Sequence, residues 1–239
     1  MNQSFIVIIP AAGRSVRYGG QNKLLESLGG KSVVARAVGA FLGRPDVAAI
    51  ILAAPVSDVS EIQLALGAAA GDKRVTFCVG GNCRAESVRN ALKQAPVGPQ
   101  WVAVHDAARP LVSQALIDRT FAAAIAHGAA VPALPVALTI KQAAGPLPAK
   151  VQRTIPRHEL WAMQTPQAMR RADLQAAFES CPIPLDQVTD DAQLLELAGK
   201  EVWLVMGEER NLKITTPVDR KIAEMHLAEE AKLDAPAKH

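Results

Sequence analysis

The chain has 239 residues, 49% apolar and 21% charged, with a formal net charge of +3. This length fits one large domain or two small ones and buries about 70% of the extended surface on folding, so disulfides are not needed. The composition excludes disorder and fibrous repeats, and the small charge with one Tyr, three Trp and five Phe excludes general nucleic-acid binding.

The apolar run at residues 5–9 is far shorter than the ~20 residues of a membrane span. Met1-Asn2-Gln3-Ser4 puts no positive charge ahead of it, so neither a signal peptide nor a membrane anchor is expected. Cys78, Cys83 and Cys181 are odd in number and lack paired metal spacing, which fits a reducing cytoplasm.

Continuous apolar runs at 5–9, 47–53, 75–79, 101–104 and 129–134 read as strands covered on both faces. Helices alternate with them. Ser32 caps a helix whose Val33, Val34, Ala37, Val38 and Phe41 form one stripe. Ser57-Asp58 opens a second, with Val59, Ile62 and Leu66 inward, and residues 84–93 and 113–126 complete the series. This alternation predicts a doubly wound open sheet, whose ligands sit at the carboxyl ends of the strands.

After Pro135 the pattern breaks. Residues 136–158 carry Gly145, Pro146, Pro148 and Pro156 and read as an excursion: a lid, an arm or a dimer contact. Helices follow near 170–179 and 189–198, then a strand at 202–206. A last helix opens with Thr216-Pro217-Val218-Asp219, where cap, first-turn proline and early acid stand in favoured places. The expectation is a single domain over 1–233, an arm at about 136–158, and a frayed tail at 234–239.

The turn after the first strand reads Pro10-Ala11-Ala12-Gly13, followed by Arg17 and Lys23. Small residues let backbone N–H groups approach a phosphate chain. It is not a dinucleotide fingerprint, because Ser15 stands at the third position of G-x-G-x-x-G, where glycine is required. Nor is it a Walker A loop, because Leu25 stands five residues before Gly30-Lys31-Ser32. Arg17 and Lys23 either neutralise a reacting triphosphate or are solvated surface cations.

Later motifs leave similar alternatives. Asp106 and Arg109 either hold a hydroxyl or metal and clamp a phosphate, or close a structural turn. Gly80-Gly81-Asn82 before a helix suits a base or ribose site, but a simple turn with a capped helix explains it better. Thr189-Asp190-Asp191 is satisfied as an N-cap with first-turn acids. Lys213 adds a third cation. His105 has no ligand partner at metal spacing, so no zinc site is expected.

In order along the chain, these segments resemble the 2-C-methyl-D-erythritol 4-phosphate cytidylyltransferase family. The carriers are PAAG at 10–13 with Arg17 and Lys23, GGNCRAESV at 80–88, VHDAARP at 104–110, LTIK at 138–141, Arg157 with LWAMQTPQ at 160–167, VTDDA at 188–192 and NLKIT at 211–215. The resemblance implies an α/β, doubly wound, mostly parallel nucleotidyltransferase sheet of Rossmann-like type, with a protruding dimerisation arm. It implies cytidylyl transfer from CTP to 2-C-methyl-D-erythritol 4-phosphate, with Mg²⁺ held mainly by the CTP phosphates and no protein metal ligands.

By the same resemblance, Ala11, Ala12, Gly13, Gly81, Asn82 and Ser87 surround CTP, and Arg17, Lys23 and Lys213 are catalytic. Asp106, Arg109, Thr165 and Thr189 face the acceptor, while Thr139 and Arg157 reach it from the other subunit of a cytoplasmic homodimer. Five positions depart from the family pattern: Ser15 for Gly, Asn22 for Pro, Leu24 for Gln, Asn82 for Asp and Leu138 for Asp. Ribitol 5-phosphate cytidylyltransferases share most of these motifs. A non-catalytic nucleotide-binding homologue would have no need for all three cations, and Ser15 argues against a dinucleotide-dependent oxidoreductase.

Overall fold

The first strand shows why this sheet must be covered twice. In β1 (Phe5–Pro10), Phe5, Val7 and Ile9 enter one apolar core and Ile6 and Ile8 enter another, all fully buried. A strand apolar on both faces requires helices on both sides. The computed structural model describes residues 3–13, Tyr18 and residues 22–233. Arg17, Ser15 and the expected tail at 234–239 lie outside the described residues.

A short antiparallel ribbon, β2 (Ser27–Leu28) and β3 (Lys31–Ser32), leads into α1 (Val33–Leu42). The Ser32 hydroxyl accepts from the Ala35 N–H at 3.1 Å, and the buried residues of α1 are the five of the expected stripe. The alternation continues through β4 (Val47–Ala54), α2 (Val59–Leu66), β5 (Val75–Val79), α3 (Arg84–Lys93), β6 (Trp101–Val104), α4 (Gln114–His127) and β7 (Ala129–Pro135).

The second half of the chain departs from alternation. It comprises β8 (Ile140–Ala143), β9 (Val151–Ile155), β10 (Trp161–Met163), β11 (Gln167–Arg170), α5 (Arg171–Glu179), α6 (Asp191–Leu197), β12 (Trp203–Met206) and α7 (Pro217–Leu233). At the start of α7, Asp219 accepts from the N–H groups of Thr215 and Thr216 at 2.8 and 2.7 Å, as the early acid predicts.

The main sheet runs β10-β7-β11-β6-β1-β4-β5, and β12 pairs with β7. Ala130 of β7 pairs with both Ala168 and Trp203, so β12 must lie on the side of β7 away from β11. Strands β6, β1, β4 and β5 are mutually parallel. Two strands of this main sheet, β10 and β11, escaped the sequence reading. Neither β10 nor β11 contains a β-branched residue, so β11 forms because β6 and β7 flank it, not through its own propensity. Its antiparallel register sets Gln167 against Val104, the last residue of β6, and so delivers residues 164–167 to the carboxyl edge of the sheet.

The excursion is a β-hairpin. Strands β8 and β9 pair only with each other and are almost wholly exposed.

Candidate active site

At the carboxyl edge two loops meet. Ala11 N–H bonds Ala53 O at 2.8 Å and Gly80 N–H bonds Ala54 O at 2.9 Å, so β4 holds the turns after β1 and β5 side by side. A side chain on Gly80 would stand 2.7 Å from Ala12 Cβ, and one on Gly81 would stand 2.2 Å from Glu86 Cβ. Contact between the loops therefore requires glycine at 80, and the close fold of the second turn onto the start of its own helix requires glycine at 81.

The second turn is held from within. The Ser87 hydroxyl accepts from the Gly81 N–H at 3.0 Å and donates to Cys83 O at 3.0 Å, while Asn82 N–H donates to Glu86 Oε2 at 2.8 Å. Buried Ser87 thus shapes the turn, and the Asn82 side chain is exposed. Lys23 sits in a turn closed by Asn22, whose side-chain oxygen accepts from Leu24 N–H at 3.2 Å. This Asx turn gives a physical account of asparagine where proline is usual.

Beside these loops, Arg84, Asp106, Arg109, Gln164, Thr165, Gln167, Thr189, Asp190 and Lys213, with Met163, line a cavity of about 300 Å³. Asp106 is its anchor. Its Oδ1 meets Arg84 Nε at 3.1 Å, and its Oδ2 meets Lys213 Nζ at 2.8 Å and Arg109 Nε at 3.7 Å. Burial alone would raise the Asp106 pKa, but Arg84, Lys213 and Arg109 outweigh it and hold the carboxyl far below the ordinary range.

Each cation is fixed by backbone or by a second acid. Arg109 donates to Asn211 O at 2.7 Å and to Met163 O at 3.3 Å. Lys213 is placed by the next residue, whose N–H bonds Ala108 O at 2.8 Å. Arg84 Nη2 pairs with buried Asp191 at 2.8 Å.

A buried network underlies the cavity. His105 is fully buried, which pushes its pKa down to about 4, and its Nε2 lies 3.0 Å from Arg109 O. A carbonyl only accepts, so Nε2 carries the proton and Nδ1 accepts from the Thr165 hydroxyl at 3.0 Å. The same hydroxyl accepts from Asp106 N–H at 3.0 Å. Thr165 therefore ties the Asp106 turn to β11. Gln167 accepts from Asp191 and Ala192 N–H at 2.9 and 3.0 Å and donates to Asp190 at 2.9 Å, joining β11 to the start of α6.

The structure thus brings Asp106, Arg109, Thr165, Thr189 and Lys213 into one cavity, and Ala12, Gly81 and Ser87 into the adjoining loops. Thr139 and Arg157 lie apart from the cavity lining, at the base of the hairpin, where Arg157 donates to Ala137 O. Arg84, Gln164, Gln167 and Asp190 lie in the motifs that carry the resemblance but were not named as site residues from the sequence. One signal was available: an arginine at the first position of a helix opposes the helix dipole and needs a partner.

The family described as IspD: 2-C-methyl-D-erythritol 4-phosphate cytidylyltransferase matches residues 5–229. The chain is 41% identical to the enzyme of that name from Gloeobacter violaceus, covering 95% of this chain and 98% of that one. It is 42% identical to the Streptomyces avermitilis enzyme, covering 92% and 90%. The crystal structure of the Thermus thermophilus enzyme superposes with a TM-score of 0.74 at 35% identity, covering 95% of this chain and all of that one.

Proposed function

We propose residue roles for a chain that belongs to the 2-C-methyl-D-erythritol 4-phosphate cytidylyltransferase family. It is a nucleotidyltransferase: it moves a cytidylyl group from CTP to 2-C-methyl-D-erythritol 4-phosphate in the non-mevalonate isoprenoid pathway. In the proposed arrangement, the loops at Ala11–Gly13 and Gly80–Ser87 hold the nucleotide. The cavity around Asp106 holds the acceptor, with Arg109 and Lys213 toward its phosphate and Asp106 toward its hydroxyls.

An acceptor phosphate oxygen attacks the α-phosphorus of CTP. A new P–O bond forms as the bond to pyrophosphate breaks. The attacking phosphate is already anionic near neutral pH, so no general base is required. Catalysis is positioning plus neutralisation of charge by Lys213, Lys23 and Arg17. The observation that carries this reading is the convergence of Arg84, Arg109 and Lys213 on one buried carboxylate beside a glycine turn.

Mg²⁺ belongs with the nucleotide in this reading. Among the described residues no three His, Cys, Asp or Glu side chains gather, and Asp106 is engaged by three cations. Asp106 is thereby given to the acceptor site and the ion to the CTP phosphates.

The hairpin is read as a dimerisation arm that carries Thr139 and Arg157 to a partner's acceptor site. Its exposed Leu138, Leu147 and Val151 support an apolar docking role. No helix among the described residues is long and apolar enough to cross a membrane. The three free cysteines support a cytoplasmic setting.

Pyrophosphate release tests the assignment, with four nucleoside triphosphates crossed against methylerythritol phosphate and ribitol 5-phosphate. Release is expected with CTP and methylerythritol phosphate, and is lost with EDTA. Equal turnover of ribitol phosphate would overturn the acceptor site, and equal turnover of ATP or UTP would overturn the assignment of the Ala11–Gly13 and Gly80–Ser87 loops to the cytidine nucleotide.

A further inference from the structure

Arg84 belongs by sequence to the nucleotide turn but by contact to the acceptor cavity. It is the first residue of α3, directly after Cys83, whose sulfur caps the helix by accepting from Glu86 N–H. A cation there opposes the helix dipole. Its guanidinium is nonetheless drawn inward between two acids, with Nε on Asp106 at 3.1 Å and Nη2 on Asp191 at 2.8 Å. Those acids sit on different elements: Asp106 in the turn after β6, and Asp191 as the first residue of α6, two residues after Thr189.

We propose that Arg84 is a positioning residue for the acceptor, which sets Asp106 and the Thr189 segment at a fixed separation; this rests on the acceptor-site reading above. Asp106 has two oxygens and three cationic neighbours. Arg84 occupies Oδ1, which leaves Oδ2 to Lys213 and Arg109. Without Arg84, Oδ1 is free to turn toward Arg109 and Lys213. The carboxylate then competes with the substrate phosphate for the same two cations. At the other end, the fully buried Asp191 carboxylate loses its only ion pair among the described residues, which loosens the entry to α6 where Thr189 and Asp190 line the cavity. A planar fork can grip two acids at once, whereas an ammonium holds one well.

The test is steady-state kinetics of the full-length protein with CTP and methylerythritol phosphate. Its variants are Arg84→Lys, Arg84→Met and the double variant Arg84→Met/Asp191→Leu. The double variant removes the stranded buried charge, so it separates fold from function. Losing charge-assisted bonds at Asp106 should raise the acceptor KM about 10- to 100-fold in Arg84→Met. The KM for CTP should stay within about three-fold of the parent, because the acceptor rather than the nucleotide is misplaced. Arg84→Lys should recover part of the loss. The double variant should regain thermal stability without regaining the acceptor KM.

A parent-like acceptor KM in Arg84→Met or, should that variant not fold, in Arg84→Lys would overturn the proposal. So would recovery of the acceptor KM in the double variant, which would make Arg84 a stabilising residue only. An equal rise in the KM for CTP would assign Arg84 to the nucleotide site. A parent protein inactive with methylerythritol phosphate would instead overturn the acceptor-site reading itself.

Discussion

Replacing Thr165 with Val is the sharpest test of the network beneath the cavity. Val keeps the shape and removes one hydroxyl. That hydroxyl accepts from Asp106 N–H and donates to His105 Nδ1, each at 3.0 Å, and both partners are buried. Each of the two stranded groups costs about 1–3 kcal/mol, so the loss should be about 2–6 kcal/mol. A domain in the middle of the usual range of about 5–15 kcal/mol still folds after such a loss. Thr165→Ser keeps both bonds and gives up one methyl, at about 1 kcal/mol. Urea unfolding of the three proteins reads this difference directly. Acceptor KM should follow the same order, because the Asp106 turn is held through this hydroxyl. If Val and Ser lose equal stability, the hydroxyl does not act as described, and the argument linking His105, Thr165 and Asp106 fails.

Four further outcomes are expected. Gly80→Ala places its methyl 2.7 Å from Ala12, so it should raise the KM for CTP, whereas Gly13→Ala, with nothing within 4 Å, should leave stability unchanged; calorimetry and nucleotide titration check the pair. Burial depresses the His105 pKa from 6.5 to about 4, so between those values the unfolded chain binds a proton that the native protein does not. Stability should therefore fall as pH drops through that window, by roughly 3 kcal/mol in all, and His105→Gln should flatten the slope between pH 6.5 and 5 in denaturant titrations. Lys213→Ala should lower kcat about 100- to 1000-fold with little loss of stability. If the arm is shared, subunit exchange between Lys213→Ala and Arg157→Ala homodimers should restore about a quarter of sites, and exchange confirmed by native mass spectrometry without regained activity would confine each site to one chain.

Much of the fold was legible because buried parallel strands write themselves as continuous apolar runs, as β1, β4, β6 and β7 do, whereas β5, at the sheet edge, is only partly covered and leaves Thr76 and Val79 exposed. Helix α1 was legible to the residue, because its cap and its stripe are both local features. The motif residues Asp106, Arg109, Thr165, Thr189 and Lys213 could be named from the chain alone through their ordered resemblance to a family.

Their convergence could not. Asp106 and Lys213 are separated by more than a hundred residues, and only the folded carboxyl edge brings Nζ within 2.8 Å of the carboxylate. Strand β11 was silent because Gln167-Ala168-Met169-Arg170 has weak strand propensity; its two neighbours create it by pairing, and its register then sets Thr165 and Gln167 under the cavity. Arg84 was hidden for the same reason. Local sequence suffices to put a charged side chain at the start of α3. Which way that side chain turns depends on long-range packing, because the two carboxylates that outweigh its burial cost arrive from β6 and α6.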